Sequence, residues 1–117
     1  MRRIAGPGRQ VLMLNGFPLS PLIVAKSARE RGRGLLGTNG IAGAMWIEPC
    51  PSVHMVGMRY PIDVAQVADD GTVLAVKTLR PWTGLTWPSR KVRAHVEAAV
   101  GFFARSGVNA GDRLEIG

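Results

Sequence analysis

The stretch Ile62 to Leu79 reads I-D-V-A-Q-V-A-D-D-G-T-V-L-A-V-K-T-L. Two apolar-rich runs flank Asp69-Asp70-Gly71, and Asp-Gly supplies the positive backbone angles that a tight hairpin turn requires. After the turn, Val73, Ala75 and Lys77 alternate with Leu74, Val76 and Thr78, the period of two expected of a strand. A hairpin here commits the chain to an antiparallel β framework. Upstream, Val53 to Val67 reads as strand, a break at Tyr60-Pro61, and strand again. Ala44-Met-Trp-Ile47, bounded by Gly43 and Pro49, reads as a short buried strand. Downstream, Pro81 to Pro88 is a loop that holds Trp82 and Trp87 on either side of Gly84.

Val92 to Phe103 supports two readings. Val92, Val96, Ala99 and Phe103 follow helical spacing, yet Gly101 interrupts the run and Ala94 to Ala98 also suits a strand that feeds a short helix. Ala104-Arg-Ser-Gly107 reads as a helix end with glycine in the left-handed position, and Gly111-Asp112 turns into a last strand, Arg113 to Ile116. Toward the N-terminus, Val11 to Leu14 and Leu22 to Ala25 read as strands, with the hairpin signal Asn15-Gly16 and then Pro18 to Pro21 between them. Ser27-Ala-Arg-Glu30 has capping-box spacing, which opens a short helix. Gly32, Gly34 and Gly37 end it, and Gly34-Leu-Leu-Gly37 delivers two leucines to the core. Residues 1–10, rich in Gly, Pro and Arg, are expected to form a flexible basic arm before one globular domain over residues 11–117. The expected fold is α+β: a single compact, mostly β domain, with a twisted or barrel-like sheet of about six to eight strands and one or two short helices.

A chain of 117 residues can bury a core without disulfides or a structural metal. Its one cysteine forms no internal disulfide, which suits a reducing compartment. The longest apolar runs, such as Val11 to Leu14, fall far short of the roughly 20 residues a membrane-spanning helix needs. Arg2 and Arg3 precede Gly6-Pro-Gly8, where a signal peptide would turn apolar. The address expected from these residues is cytoplasmic, and an upstream leader would make it an exported one. The net charge of +7 raises the question of nucleic acid. Residues 1–33 hold seven basic residues against Glu30 alone, whereas residues 34–117 hold eight against seven acidic ones. With no aromatics interleaved among Arg29, Arg31 and Arg33, this pattern describes a solvated basic face and argues against a nucleic-acid interface.

Reactive side chains crowd into Cys50 to Asp63, C-P-S-V-H-M-V-G-M-R-Y-P-I-D. Cys50, His54, Met55 and Met58 form a soft-ligand set that suits Cu(I), or Zn(II) where Cys and His dominate. On one straight strand Met55 and Met58 face opposite sides, so a shared ion requires a bend at Gly57. Cys50 and His54 lie roughly 13 Å apart when fully extended and need a turn near Pro49 and Pro51 to meet. The plain alternative is a small apolar Cys with core methionines. A thiol nucleophile with His54 or His95 as base is a further reading, but the missing amide of Pro51 removes one oxyanion donor. Asp63 is either a ligand contact or a structural carboxylate, with Glu97 and Asp112 read as structural. Trp82 and Trp87 either wall a pocket or partner surface, or cover the core. The leading functional expectation is a small non-catalytic binding module. Its cleft would lie between residues 50–59 and the 81–88 loop, with Arg59 recognising anions, Trp82 and Trp87 as an apolar wall, and His54 and Asp63 as further contacts. The alternative is a soft-metal or thiol-dependent site on Cys50 and His54. No cofactor is implied, and the partner would be a small ligand or a protein.

Several motifs occur together in a fixed order: Arg33-Gly-Leu-Leu-Gly37, Gly43-Ala-Met-Trp46, His54 to Val64, Asp70-Gly71, Val96-Glu97 with Gly101, and Gly107 to Asp112. In that order they resemble domain-of-unknown-function family 192, from about Ser27 to the C-terminus. The resemblance implies a compact, mostly β domain and no established reaction, substrate or cofactor, so it carries over no catalytic residue. Many relatives have Trp-Met-Lys-Asn-Thr where this chain has His54-Met55-Val56-Gly57-Met58, and many carry an N-terminal export or anchor segment.

Overall fold

The Asp-Gly turn forms as its residues dictate: Gly71 sits at φ +90°, and the amide of Ala68 donates to the Thr72 carbonyl. The computed structural model describes residues 3–117. In chain order its elements are β1 (Ile4–Ala5), β2 (Gln10–Leu14), β3 (Phe17–Ala25), α1 (Ala28–Arg33), β4 (Gly40–Ile41) and β5 (Ala44–Ile47). They continue with β6 (Ile62–Val67), β7 (Val73–Leu79), β8 (Ala94–Ala98), α2 (Phe102–Arg105) and β9 (Leu114–Ile116). Seven strands form one sheet in the order β7-β6-β8-β5-β3-β2-β9, and β1 pairs with β4 in a separate parallel ribbon. The pairings within the sheet are antiparallel except β3 with β5. The outer strands approach each other again at a single bridge, Thr72 to Arg113, so the sheet twists and curls without closing into a barrel.

Both faces of the sheet are covered. Leu12, Leu22, Trp46, Val96, Phe103 and Leu114 belong to one buried cluster, which α2 helps to close, and Leu35, Ile47, Met55, Met58, Ile62 and Val64 belong to the other. This explains why β5, β6 and β8 are buried at every position. Alternation still operates, sending successive side chains to opposite apolar layers.

Three expectations change, and one that the sequence left open is resolved. The Asn15-Gly16 turn, at φ +50° and +86°, leads straight into β3 at Phe17, so the strand includes Pro18 and Pro21. Because β5 pairs only with Leu22 to Ala25, the first half of β3 has one free edge, where proline is tolerated, and a bulge opposite Leu12 and Met13 absorbs the irregularity. Residues Val53 to Arg59 form no strand of the sheet. In the 92–103 run, the strand-then-helix alternative is the one observed, with Gly101 at φ +90° marking the change. Part of the expected arm is also paired, since Ile4 and Ala5 lie against Gly40 and Ile41; Met1 and Arg2 lie outside the described residues. The Ser27 to Glu30 capping box is present with both reciprocal hydrogen bonds. Among the described residues no helix is long and apolar enough to cross a membrane.

Two glycines in the left-handed region separate backbone conformation from crowding. Gly107, at φ +73°, has open space where a Cβ would go, whereas a Cβ on Gly43, at φ +77°, would lie 2.4 Å from the Pro21 carbonyl oxygen. Gly107→Ala is expected to cost about 1 kcal/mol, and Gly43→Ala about 3 kcal/mol or more because β3 must also move. Urea denaturation of the two variants measures the difference.

Candidate functional site

Strand β8 runs through the middle of the sheet. Ala94, Val96 and Ala98 lie in the first cluster, so His95 and Glu97 point into the second. His95 is fully buried and fully engaged: its Nδ1–H donates to the Cys50 carbonyl at 2.9 Å, and its Nε2 accepts from the Thr86 hydroxyl at 3.0 Å and the Gln66 amide at 3.3 Å. Thr86 Oγ1 in turn accepts from the Val53 amide at 2.8 Å. One neutral imidazole thus ties the 50–53 segment and the 81–88 loop to the sheet, and burial holds its pKa below the ordinary 6.5.

The 50–59 segment and the 81–88 loop are zipped together. The Met55 amide donates to the Gly84 carbonyl, the Trp82 amide to the Met55 carbonyl and the Thr86 amide to the Val53 carbonyl, and His54 bridges Leu85. Gly57, at φ +88°, turns the chain, and the Met58 amide donates to the Met55 carbonyl. The bend that a straight strand would have denied brings Met55 and Met58 into the same buried cluster.

The cleft expected between the 50–59 segment and the 81–88 loop is thus closed by backbone hydrogen bonds, and a cavity borders the 50–58 segment instead. It measures about 180 Å³ and lies between residues 31–36 and residues 50–58, with Ile47, Ile62 and Glu97 at its base. Behind Leu35, which lines it, the Thr38 hydroxyl donates to the Leu35 carbonyl and meets the Tyr60 hydroxyl at 2.7 Å. Cys50, His54, Met55 and Met58 all border this cavity, but Arg59, Asp63, Trp82 and Trp87 do not.

Glu97 is the unusual group. It is 4% exposed and pairs across the sheet with Met45 and Val64. Burial pushes its pKa up to about 7, and among the described residues no hydrogen bond or cation offsets it. No buried side-chain oxygen or nitrogen is sealed off without a partner among the described residues, so the carboxylate reaches the cavity space. Gly34 lies beside it: a Cβ there would stand in ordinary contact, 3.5 Å from Glu97 Oε1.

The other expected site residues have different surroundings. Asp63 is buried and committed, accepting from the Thr78 hydroxyl and, at 2.8 Å, from the Gly101 amide, which anchors the turn into α2. Arg59 and His54 are exposed. Trp82 and Trp87 are 61% and 78% exposed, so they do not cover the core, and Trp82 is held at φ +67°. The Cys50 thiol donates to the Ser52 carbonyl, and burial followed by the nearby Glu97 charge pushes its pKa up to about 11. That is the reverse of an activated nucleophile. Among the described residues no group of three or more His, Cys, Asp and Glu side chains is gathered to hold a metal ion. Sequence reading named His95 as a possible base and Glu97 as a structural carboxylate, and did not recognise them as a buried polar pair. Their signal was two polar side chains two residues apart within the apolar run Ala94 to Val100.

The profile of domain-of-unknown-function family 192, DUF192, described as an uncharacterized ACR, matches residues 18–116. The chain belongs to this family. No curated protein matches it. Among solved structures, this DUF192 domain resembles a protein of unknown function from Novosphingobium aromaticivorans DSM 12444. The TM-score is 0.76 at 20% identity, covering 90% of this chain and 83% of that one. It also resembles a candidate transcription regulator from Sinorhizobium meliloti 1021, with a TM-score of 0.74 at 24% identity and 92% of each chain covered. At these identities the likeness establishes the fold that DUF192 and these structures share.

Two measurements follow from the dry environment at the cavity base. In the unfolded chain Glu97 loses its proton near its ordinary 4.5, and in the folded chain near 7, so stability falls as pH rises through that window. Glu97→Gln removes the titration. Denaturation should find the variant equal to the parent below about pH 4 and more stable by up to about 3 kcal/mol at pH 8. Iodoacetamide labelling of Cys50 at pH 8 should run about 100-fold slower than for a thiol of ordinary pKa and keep accelerating past pH 10.

Proposed function

We propose that this protein is a small non-catalytic binding module that takes a small ligand into the cavity between residues 31–36 and 50–58. One observation carries the reading: the cavity lining holds a buried carboxylate that no other side chain contacts by hydrogen bond or salt bridge among the described residues. A fold that needs only stability would replace such a group with an apolar one of similar size. The mixed lining, apolar at Ile47, Met55, Met58 and Ile62 with one polar group at the base, matches the general character of ligand sites. Its volume suits a ligand of about six to ten non-hydrogen atoms, since a dry cavity of roughly 150 Å³ accommodates benzene.

Nucleophilic catalysis has little support in this arrangement. The Cys50 thiol is held in its protonated form, and both His95 nitrogens are occupied by hydrogen bonds that fasten the loops. A second surface favours a protein partner: Trp82, Leu85 and Trp87 are all exposed on one loop, and aromatic side chains of this kind make contact hot spots.

A fragment set of about six to ten non-hydrogen atoms, charged and uncharged, tests the cavity by amide chemical-shift perturbation. Hits should move resonances of residues 31–36 and 50–58 and lose affinity in Ser52→Trp, which fills the cavity mouth. The reading is wrong if no fragment moves those resonances, or if the same shifts persist in the filled variant. Trp82→Ala and Trp87→Ala should each change stability by no more than about 0.5 kcal/mol, because neither side chain supports the core.

A further inference from the structure

We infer that the ligand of this cavity is a small primary amine, bound with its ammonium group on Glu97 and its apolar body against Ile47, Ile62, Met55 and Met58. The inference rests on the binding-module reading and names the chemistry of its ligand. The Glu97 carboxylate is 4% exposed, burial alone raises its pKa, and among the described residues no protein donor or cation contacts the oxygens it presents to the cavity. It is therefore poised to gain a large, charge-assisted hydrogen bond from any donor that can reach it.

Among the described residues no cation pairs with Glu97. Arg31 and Arg33 both border the cavity, but Arg31 Nη1 donates to the Lys26 carbonyl at 3.0 Å and neither guanidinium forms a salt bridge with Glu97. Gly34 lies beside Glu97 Oε1 and leaves space where a side chain would stand, at the point where a ligand head must fit. A compact ammonium with three donors suits one carboxylate in a narrow space better than a planar guanidinium, whose fork needs both oxygens in one plane.

The amine must meet the ionised carboxylate, so binding strengthens as pH rises. The titratable and charged groups that border the cavity beside Glu97 are Arg31 and Arg33 from the end of α1 and Cys50 and His54 from the 50–59 segment; outside the lining, Tyr60 feels the Glu97 charge and His95 shares its face of β8. Cys50, at about 11, and Tyr60, raised by burial, stay neutral across the range used. Burial lowers the His95 pKa, and both ring nitrogens are engaged in hydrogen bonds. His54→Ala removes the imidazole that borders the cavity and serves as the reference background.

The test compares isopentylamine and benzylamine with isopentanol and benzyl alcohol, uncharged molecules of matching shape, by chemical-shift titration at pH 8.5 and pH 5.5. Each amine should bind at least about tenfold tighter than its alcohol at pH 8.5, and about tenfold or more weaker at pH 5.5, where most Glu97 is protonated. Glu97→Gln, which keeps the shape and is expected to fold, should erase the preference for amine over alcohol. Equal binding of amine and alcohol, or a preference that survives Glu97→Gln, overturns the amine inference and leaves the cavity as a binding site. Failure of all four molecules to move the resonances of residues 31–36 and 50–58 overturns both.

Discussion

A strand at the centre of a sheet that is buried on both faces cannot carry an unpartnered polar side chain without a cost in stability, and β8 carries two. His95 meets the constraint in full, with a partner on every ring nitrogen, and in doing so it fixes where two long loops cross the second face. Those loops have no strand pairing of their own beyond the His54 to Leu85 bridge. Their position depends on one imidazole, on Thr86, and on the backbone bonds that zip them together.

Glu97, two residues away on the same face, meets the same constraint only by reaching the cavity. The contrast locates function within a region that would otherwise be ordinary core. The dryness that raises the Glu97 pKa also raises that of Cys50, so one environment disarms the thiol as it sensitises the carboxylate. Crowded reactive residues need not mark a reaction centre; here Met55 and Met58 supply apolar wall.

Elements governed by local chemistry were readable from the chain. The Asp70-Gly71 and Asn15-Gly16 turns, the Ser27 to Glu30 capping box and the Ala44 to Ile47 strand each follow from a few adjacent residues. The role of Val53 to Arg59 was not readable, because its alternating residues suit a strand while Gly57 and the partner loop, some thirty residues away, impose a turn. Likewise, β3 extends through Pro18 and Pro21 only because β5 stops short of them. Cys50, Met55 and Met58 were singled out for their chemistry and do border the cavity, yet its distinguishing group stood elsewhere. Nothing local separates Glu97 from a solvated acid; the two-sided burial of β8 does, and that is set by strands β5 and β6 on either side.

The pairing of β2 with β9 joins Leu12, Met13 and Leu14 to residues about a hundred positions later. During synthesis, β2 can turn back onto β3 as soon as Ala25 has emerged, but its other edge stays open until residues 114–116 leave the ribosome. A chain of this topology therefore completes its sheet late, and loop closure over nearly its whole length makes that step slow. Until then the exposed edge of β2, with Leu12 and Leu14 beside it, is the surface on which a nascent chain could pair with a neighbour.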